Sequence, residues 1–334
     1  MLTEAPLADA QNREHVAQWF FETAGAPRLC AGNSGVLSLM ASGRTTGVVL
    51  EVGGGVASAI PVFEGFAIHH ATLKIPLGGE DLTSAFQLTL QTGGADYAAK
   101  TSPAEPAAKP KKKGGWGKMN TLLNSRAVEA DRFSDYAVCQ QIKEHCCCLT
   151  LPGVQPSKAN LPERGRVFEL PNGSYIDLSR SRVHDAEALF FPPLARQRYA
   201  TPEQNDGSAR AADPKEGLAS LVARSLALCD AQLQKELRSA VVCSGGSTLM
   251  PGFPARLEAE LVALCPDLAQ QHSRPFHVVP DPVKPERGYD LQRGIAAWNG
   301  ASLFASLDDT YGCMAVTKAE WDEWGPSIVH RKFF

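Results

Sequence analysis

The sequence predicts an α/β fold, and three observations predict it. Residues 46–52 and 56–63 are largely apolar, β-prone runs joined through Gly53-Gly54-Gly55, the pattern of a β-hairpin. A second pair of strand-like runs, Val167–Leu170 and Tyr175–Leu178, flanks the turn residues Pro171-Asn172-Gly173-Ser174. Helical stretches with apolar residues at i, i+3 and i+4 alternate with these strand pairs, which is the α/β pattern. The three successive glycines also let backbone N–H groups converge on an anion such as phosphate. The plainer reading of the same glycines is a turn.

Taken in order, Met1–Leu7 reads as a short strand, and Asn12–Ala24 as a helix with Val16, Trp19, Phe20 and Ala24 facing a core. Arg28–Ala31 is strand-like, and Ser34–Ala41 is a short apolar helix stopped by Ser42-Gly43. Ala67–Leu77 leads to Gly78-Gly79, after which Glu80–Leu90 reads as a helix with Asp81 near its start. Residues 98–123 hold Pro103, Pro106, Pro110 and Lys111-Lys112-Lys113, with too few apolar side chains to offset ordering entropy, so a disordered basic insertion is predicted. Its lysines are either a solvated loop or a docking or nuclear-import patch. Arg132–Leu149 reads as a helix, Gln197–Asp213 as a polar loop, and Leu218–Cys229 as an amphipathic helix. Ala240–Cys243 is a strand entering Ser244-Gly245-Gly246-Ser247, and Phe253–Leu264 is a helix. Trp298 and Leu303–Leu307 are core candidates of the last stretch.

The 334 residues suffice for two modest domains or one large one. With 44% hydrophobic and 21% charged residues the composition is that of an ordinary globular chain. The net charge of −3 gives no general attraction to nucleic acid or anionic membrane, so direct nucleic-acid binding is not expected. No segment has the length of a membrane-spanning helix, and Met1 precedes LTEAPLADA rather than a charged-then-apolar leader, so a cytosolic or nuclear chain is expected. Of the nine cysteines, Cys146-Cys147-Cys148 lie near Cys139 and His145. Consecutive helical residues point about 100° apart, so the three cannot converge on one ion, and buried reduced thiols are the expectation.

The order of ASGRTTG (Ala41–Gly47), the glycine hairpin, VFEGFAIHHA (Val62–Ala71), GGEDLT (Gly78–Thr83), QIKE (Gln141–Glu144), CSGGSTLMPGF (Cys243–Phe253) and GPSIVHRKFF (Gly325–Phe334) resembles the actin family. The resemblance runs from Leu2 to Phe334, broken by insertions. It implies a two-lobed actin-like fold of the ribonuclease H-like, Hsp70 and sugar-kinase superfamily. Because LTEAPL stands at residues 2–7, the resemblance also implies that an N-terminal portion with a first phosphate loop is missing, or that the chain is an incomplete gene product. The order of parts implies three subdomains. The first, incomplete, is 1–41 with 294–334; the second is 42–77 with 214–293; the third is 78–213, carrying the insertion 98–123.

The same resemblance implies a site for ATP or ADP with Mg or Ca. Gly53, Gly54 and Gly55 stand on the second phosphate loop, Lys143 and Glu144 beside adenine and ribose, and Gly245, Gly246 and Ser247 on the turn that approaches base and phosphates. Gly79 stands on the ribose side, although the arginine usual after it is Glu80 here. Catalytic positions are degenerate. The family's water-positioning glutamine falls on Ser34, with Asn33 as a neighbouring substitute; the loop's first aspartate is Glu51, able to hold a metal only through water; its second is Gly54; and the following histidine is Ser58. Each lost contact costs a few kcal/mol in such chemistry, so weakened ATP binding with little or no hydrolysis is expected.

Three functions compete. The first is an actin-like cytoskeletal or scaffolding protein in the cytoplasm. The second is an ATPase or small-molecule kinase, which would need a carboxylate base where Gly54 stands. The third is a nuclear actin-related subunit of a chromatin-remodelling assembly. The resemblance also implies a partner cleft for actin-family or actin-binding proteins, formed by Met40, Ala41, Gly43, Thr45, Gly65, Phe66, Phe304 and Leu307. Asp309 and either Cys313 or Met314 alter its character.

Overall fold

The computed structural model describes residues 1–92, 136–151, 167–170, 173, 175–178, 217–271, 273–284, 288–307 and 312–334. The basic insertion 98–123, the polar stretch 197–213 and Asp309 lie outside them. The chain divides into two compact units. One comprises Met1–Gly78, Asn205–Leu249 and Phe253–Phe334; the other comprises Gly79–Gln204 and Met250–Gly252.

The first unit is built on a mixed sheet. Its strands run in the order Val278–Val279, Val241–Ser244, Gly47–Val52, Ala57–Phe63, Phe66–Ala67, with Leu73–Ile75 also paired to Ala57–Phe63. Pairing is parallel on both sides of Val241–Ser244 and antiparallel across the glycine hairpin, where Val52 opposes Ala57 and Gly47 opposes Val62. The central strands read as near-continuous aliphatic runs because both faces are covered: Val48, Val49, Leu50, Val52, Ile60 and Val62 are all fully buried. Val36 and Leu39 of the helix Ser34–Ala41 pack on Val49, Ile60 and Val62, and the helix Gly217–Ala227 also packs against the sheet. The helix Phe253–Leu264 has the bounds expected from the sequence.

A second group of elements in this unit is held by shorter pairings. Leu2–Glu4 lies parallel to Ala31–Asn33, and Arg28–Leu29 lies antiparallel to Val316–Thr317. Their core joins Ala17, Phe21 and Leu29 to Trp321, Ile328, Val329 and Phe333, with the Phe21 and Trp321 rings stacked at 5.1 Å. The C-terminal Phe334 is bound through its backbone carbonyl to Asn33 N–H (2.8 Å), and its ring meets Phe304 at 4.8 Å.

Two sequence-based expectations need correction here. The first helix, Ala10–Gln18 capped by the Asp9 side chain, turns Ala17 and Phe21 inward rather than Val16, Trp19, Phe20 and Ala24. Val16 is 44% and Trp19 55% exposed, Ala24 is exposed, and Phe20 is half-buried. The helix passes into a π-turn, Trp19–Thr23, closed by Ala24 N–H on Trp19 O; the buried Ala17 and Phe21 keep a four-residue spacing one position along from the expected Val16 and Phe20, and Phe21 is drawn in by Trp321. The second correction concerns Trp298, Leu303 and Leu307, which are all more than half exposed. The helix Ala296–Ala305 buries Ala296, Gly300, Ala301 and Phe304, so that of the expected stretch Leu303–Leu307 it is Phe304 that enters the core. A Cβ on Gly300 would stand 1.8 Å from the Leu37 carbonyl oxygen, so the small residues mark where this helix meets the backbone of Ser34–Ala41.

The second unit contains the helices Gly79–Thr92 and Tyr136–Cys146 and the antiparallel pair Val167–Glu169 and Tyr175–Asp177. Leu82, Phe86, Cys139, Ile142 and Cys146 are among its buried residues. Cys147 and Cys148 are buried with them.

Candidate functional site

The glycine hairpin and the turn after Val241–Ser244 belong to the same unit and are fastened to each other. Gly53 N–H closes the hairpin on Val56 O (3.0 Å), while no acceptor is recorded for Gly54 or Gly55 N–H among the described residues. Gly245, at φ +93°, presses on the preceding strand, where a Cβ would stand 2.3 Å from Val52 O. Ser247 Oγ makes a long hydrogen bond (3.5 Å) to Gly53 O. A Cβ on Gly55 or Gly246 would meet nothing within 4 Å. Gly245 is thus required by the protein's own packing, while Gly55 and Gly246 border open space. That cradle fits a phosphate.

Two residues that support this cradle escaped the sequence reading. Gly78 packs on the hairpin tip so closely that a Cβ would lie 2.1 Å from Gly54 O. Its signal is the Gly78-Gly79 pair after a strand, of which only Gly79 is a candidate site residue in the sequence. Arg293 is buried and donates from Nε and Nη2 to Thr248 O (3.2 and 2.9 Å) and from Nη1 to Asp290, while its own carbonyl accepts from Gly245 N–H (2.9 Å). An arginine spending its donors on backbone carbonyls 45 residues away leaves no local pattern in the sequence.

Next to the cradle, the degenerate catalytic positions meet. Glu51 precedes the hairpin by two residues, faces Ser58 across it and Ser244 on the other side. Ser34, buried at the start of its helix, donates from Oγ to Glu51 Oε2 at 2.6 Å. Burial pushes the Glu51 carboxyl above its ordinary range, and the Ser34 hydroxyl offsets part of that. One turn further along the same helix, Ser38 Oγ lies 2.9 Å from Ser244 Oγ. Asn33 is not free to replace the water-positioning glutamine, because its Oδ1 caps the helix by accepting from Gly35 N–H (2.9 Å). Among the described residues no group of three His, Cys, Asp or Glu side chains could hold a metal ion. Glu51, the carboxylate expected to hold a metal through water, has the Ser34 hydroxyl on one of its oxygens.

Gly79, Lys143 and Glu144 fall in the second unit. The structure brings two of them together: Lys143 Nζ donates to Gly79 O at 2.9 Å. Burial lowers the Lys143 pKa, opposed by the charges of Glu144, Cys147 and Glu80. Glu144 is exposed and accepts from Gln140 Nε2 (2.9 Å) on its own helix. Glu80 lies in the first turn of Gly79–Thr92, where a negative charge suits the helix dipole.

The expected partner surface is borne by fewer residues than the sequence suggested. Gly65 N–H bonds Thr45 O (2.8 Å), and the Met40 side chain lies 3.9 Å from where a Gly65 Cβ would be. Phe66 and Leu307 are exposed, at 61% and 55%. Phe304, expected beside them, is only 3% exposed because it packs on Leu37, Ala301 and the Phe334 ring. Cys313 is exposed and Met314 half-buried.

A comparison with protein-family models matches residues 1–334 to the model described as Actin.

Proposed function

Because the chain belongs to the actin family, we propose that it is an actin-like cytoskeletal or scaffolding protein that binds ATP or ADP weakly and hydrolyses it slowly or not at all. Proteins of this family generally bind ATP or ADP with a divalent cation. The observation that carries the reading is the Ser34–Glu51 hydrogen bond of 2.6 Å. It engages the hydroxyl at the position expected to orient water, and it engages the one candidate carboxylate beside the phosphate cradle. Bound nucleotide would supply the phosphoryl group and a divalent cation its charge neutralisation. This chain's part is limited to holding phosphate on Gly54, Gly55, Gly246 and Ser247 N–H groups. Orienting a water and placing a metal each require side chains of longer reach or firmer charge than Ser34, Gly54 and Ser58 offer.

The partner surface fits the same reading: Met40, Thr45, Gly65, Phe66 and Leu307 would receive an actin-family or actin-binding partner in the cytoplasm. The Lys111–Lys113 cluster favours a second reading, a nuclear subunit of a chromatin-remodelling assembly. Following a tagged chain in cells separates the two, since nuclear accumulation lost on replacing the three lysines supports only the second. The primary test is turnover of ATP by the purified chain, free of contaminating actin. Turnover below that of an actin filament by a factor of a hundred or more, roughly 2.7 kcal/mol in barrier, is the expected result. Turnover equal to that of an actin filament overturns the reading.

A further inference from the structure

The end of the helix Ala231–Arg238 and the segment 273–277 enclose a cavity of about 560 Å³ lined by Lys235, Arg238, Ser239, Ser273, Arg274 and His277. Among the described residues no acidic side chain lines it. The segment is stitched to the helix and to the sheet by His277 N–H on Arg238 O (3.1 Å) and Val241 N–H on His277 O (2.8 Å), so the walls are built on fixed backbone. Lys235 and Arg238 stand three residues apart, hence on one helix face.

Arg238 is the unusual member. It is 9% exposed, its Nε donates to Gln234 O (3.2 Å), and its Nη1 is buried with no hydrogen-bond acceptor among the described residues. Buried guanidinium N–H groups nearly always have a partner, and leaving one unmet is costly. The nearby carboxylates do not supply one. Glu258 binds Arg274 through both oxygens (2.7 and 2.9 Å), and Asp281 takes Arg274 Nη1 at 2.7 Å and lies 3.7 Å from His277 Nδ1. Arg274 is thereby neutralised, while neither Lys235 nor Arg238 has an ion-pair partner among the described residues. Two uncompensated cations therefore face one cavity in a chain whose net charge is −3. The carbonyls of the helix end, which would repel an anion, are occupied: Gln234 O by Arg238, Glu236 O by Ser239 N–H and Oγ, and Arg238 O by His277.

We propose that this cavity is a binding site for a small phosphate-bearing molecule, with Arg238 and Lys235 as its charged anchors. A phosphate offers a charge near −2 and three acceptor oxygens, which suits an arginine fork and a lysine point charge together with the Ser273 hydroxyl better than a monovalent carboxylate does. The site lies entirely within one unit and shares no residue with the glycine hairpin, so its success or failure is independent of nucleotide binding there.

The test is calorimetric titration of the full chain, at fixed ionic strength, with inorganic phosphate, glycerol phosphate, acetate and a hexaglutamate peptide. Saturable one-to-one binding of inorganic phosphate or glycerol phosphate, with acetate bound at least tenfold more weakly, is expected. Equal affinity for the two phosphates identifies the free ion as a sufficient ligand, and tighter binding of glycerol phosphate identifies an organic phosphate. Arg238→Met should weaken binding roughly tenfold or more, and Lys235→Gln several-fold, with ATP binding unchanged in both. Should Arg238→Met fail to fold, Lys235→Gln on the helix surface decides the matter. Absence of saturable phosphate binding, equal affinity in the wild type and Lys235→Gln, or binding of hexaglutamate without phosphate would each overturn the proposal.

Discussion

Glu51 is a half-buried acid whose only recorded side-chain partner among the described residues is a hydroxyl, and its chemistry is readable in the pH dependence of stability. Its folded pKa lies above the ordinary value, so the native state holds its proton more tightly than the unfolded chain does. Stability from this group therefore falls as pH rises above about 4.5 and through the folded pKa. Glu51→Gln keeps an acceptor for Ser34 and removes the charge, so it should raise Tm at pH 7–8, with the gain vanishing near pH 4. Thermal melts of both forms across that range check this, and a gain independent of pH would contradict it. Gly300 tests the other kind of residue-scale constraint. Alanine there must displace the Leu37 carbonyl, so Gly300→Ala should cost about 3 kcal/mol in a urea titration. An exposed glycine such as Gly43 carries a positive φ but has no neighbour to strike, so its alanine variant pays only for backbone strain and should lose less.

Among the elements, the helix Lys318–Trp324 is fixed most explicitly by local chemistry. Thr317 and Glu320 form a reciprocal capping box, and Glu320 also accepts from Lys332 Nζ at 2.7 Å. The Lys332 hydrogen bond, then the Thr317 backbone, hold the Glu320 pKa down to about 2. A depressed pKa adds stability above the unfolded value, and that stability is lost as pH falls from about 4.5 towards about 2. Glu320→Gln should therefore lower Tm at pH 6 and match the wild type near pH 2, as read by circular dichroism. Two elements were read correctly from the sequence: Gly53–Gly55 dictate where the hairpin turns, and the helix Phe253–Leu264 has its expected ends. What escaped had non-local causes. Phe21 stacks on Trp321, which lies 300 residues away, while Trp19 faces out, and Gly300 let two helices meet through small residues while Trp298 stayed outside. Gly53–Gly55, Gly245, Gly246 and Ser247 stand out as clusters in the sequence, whereas Arg238, Gly78 and Arg293 act through partners brought near only by folding.

For the whole molecule, weak nucleotide binding has a thermodynamic signature. With a Kd near ~1 mM, about 5 mM ATP adds about 1 kcal/mol of stability. For a chain of this size that is a Tm rise of roughly 1–3 °C, measurable by differential scanning fluorimetry. A rise above about 10 °C would mean tight binding and contradict the proposed function. The central sheet has another consequence, which concerns time. Val48 lies beside Val241, so the strand that completes the hairpin's open edge is made about 190 residues later. At roughly 5–20 residues per second of synthesis, the hairpin waits on the order of 10–40 seconds with the Gly47–Val52 edge unpaired. Val48, Val49 and Leu50 are among the most apolar side chains of the core, and an unpaired aliphatic strand is a template for association with other chains. Ribosome-bound chains halted before Ala240 should therefore recruit chaperones and be cut readily by protease, and chains extended past Val279 should resist both. The protein's dependence on cellular folding assistance is thus written into the sequence distance between two neighbouring strands.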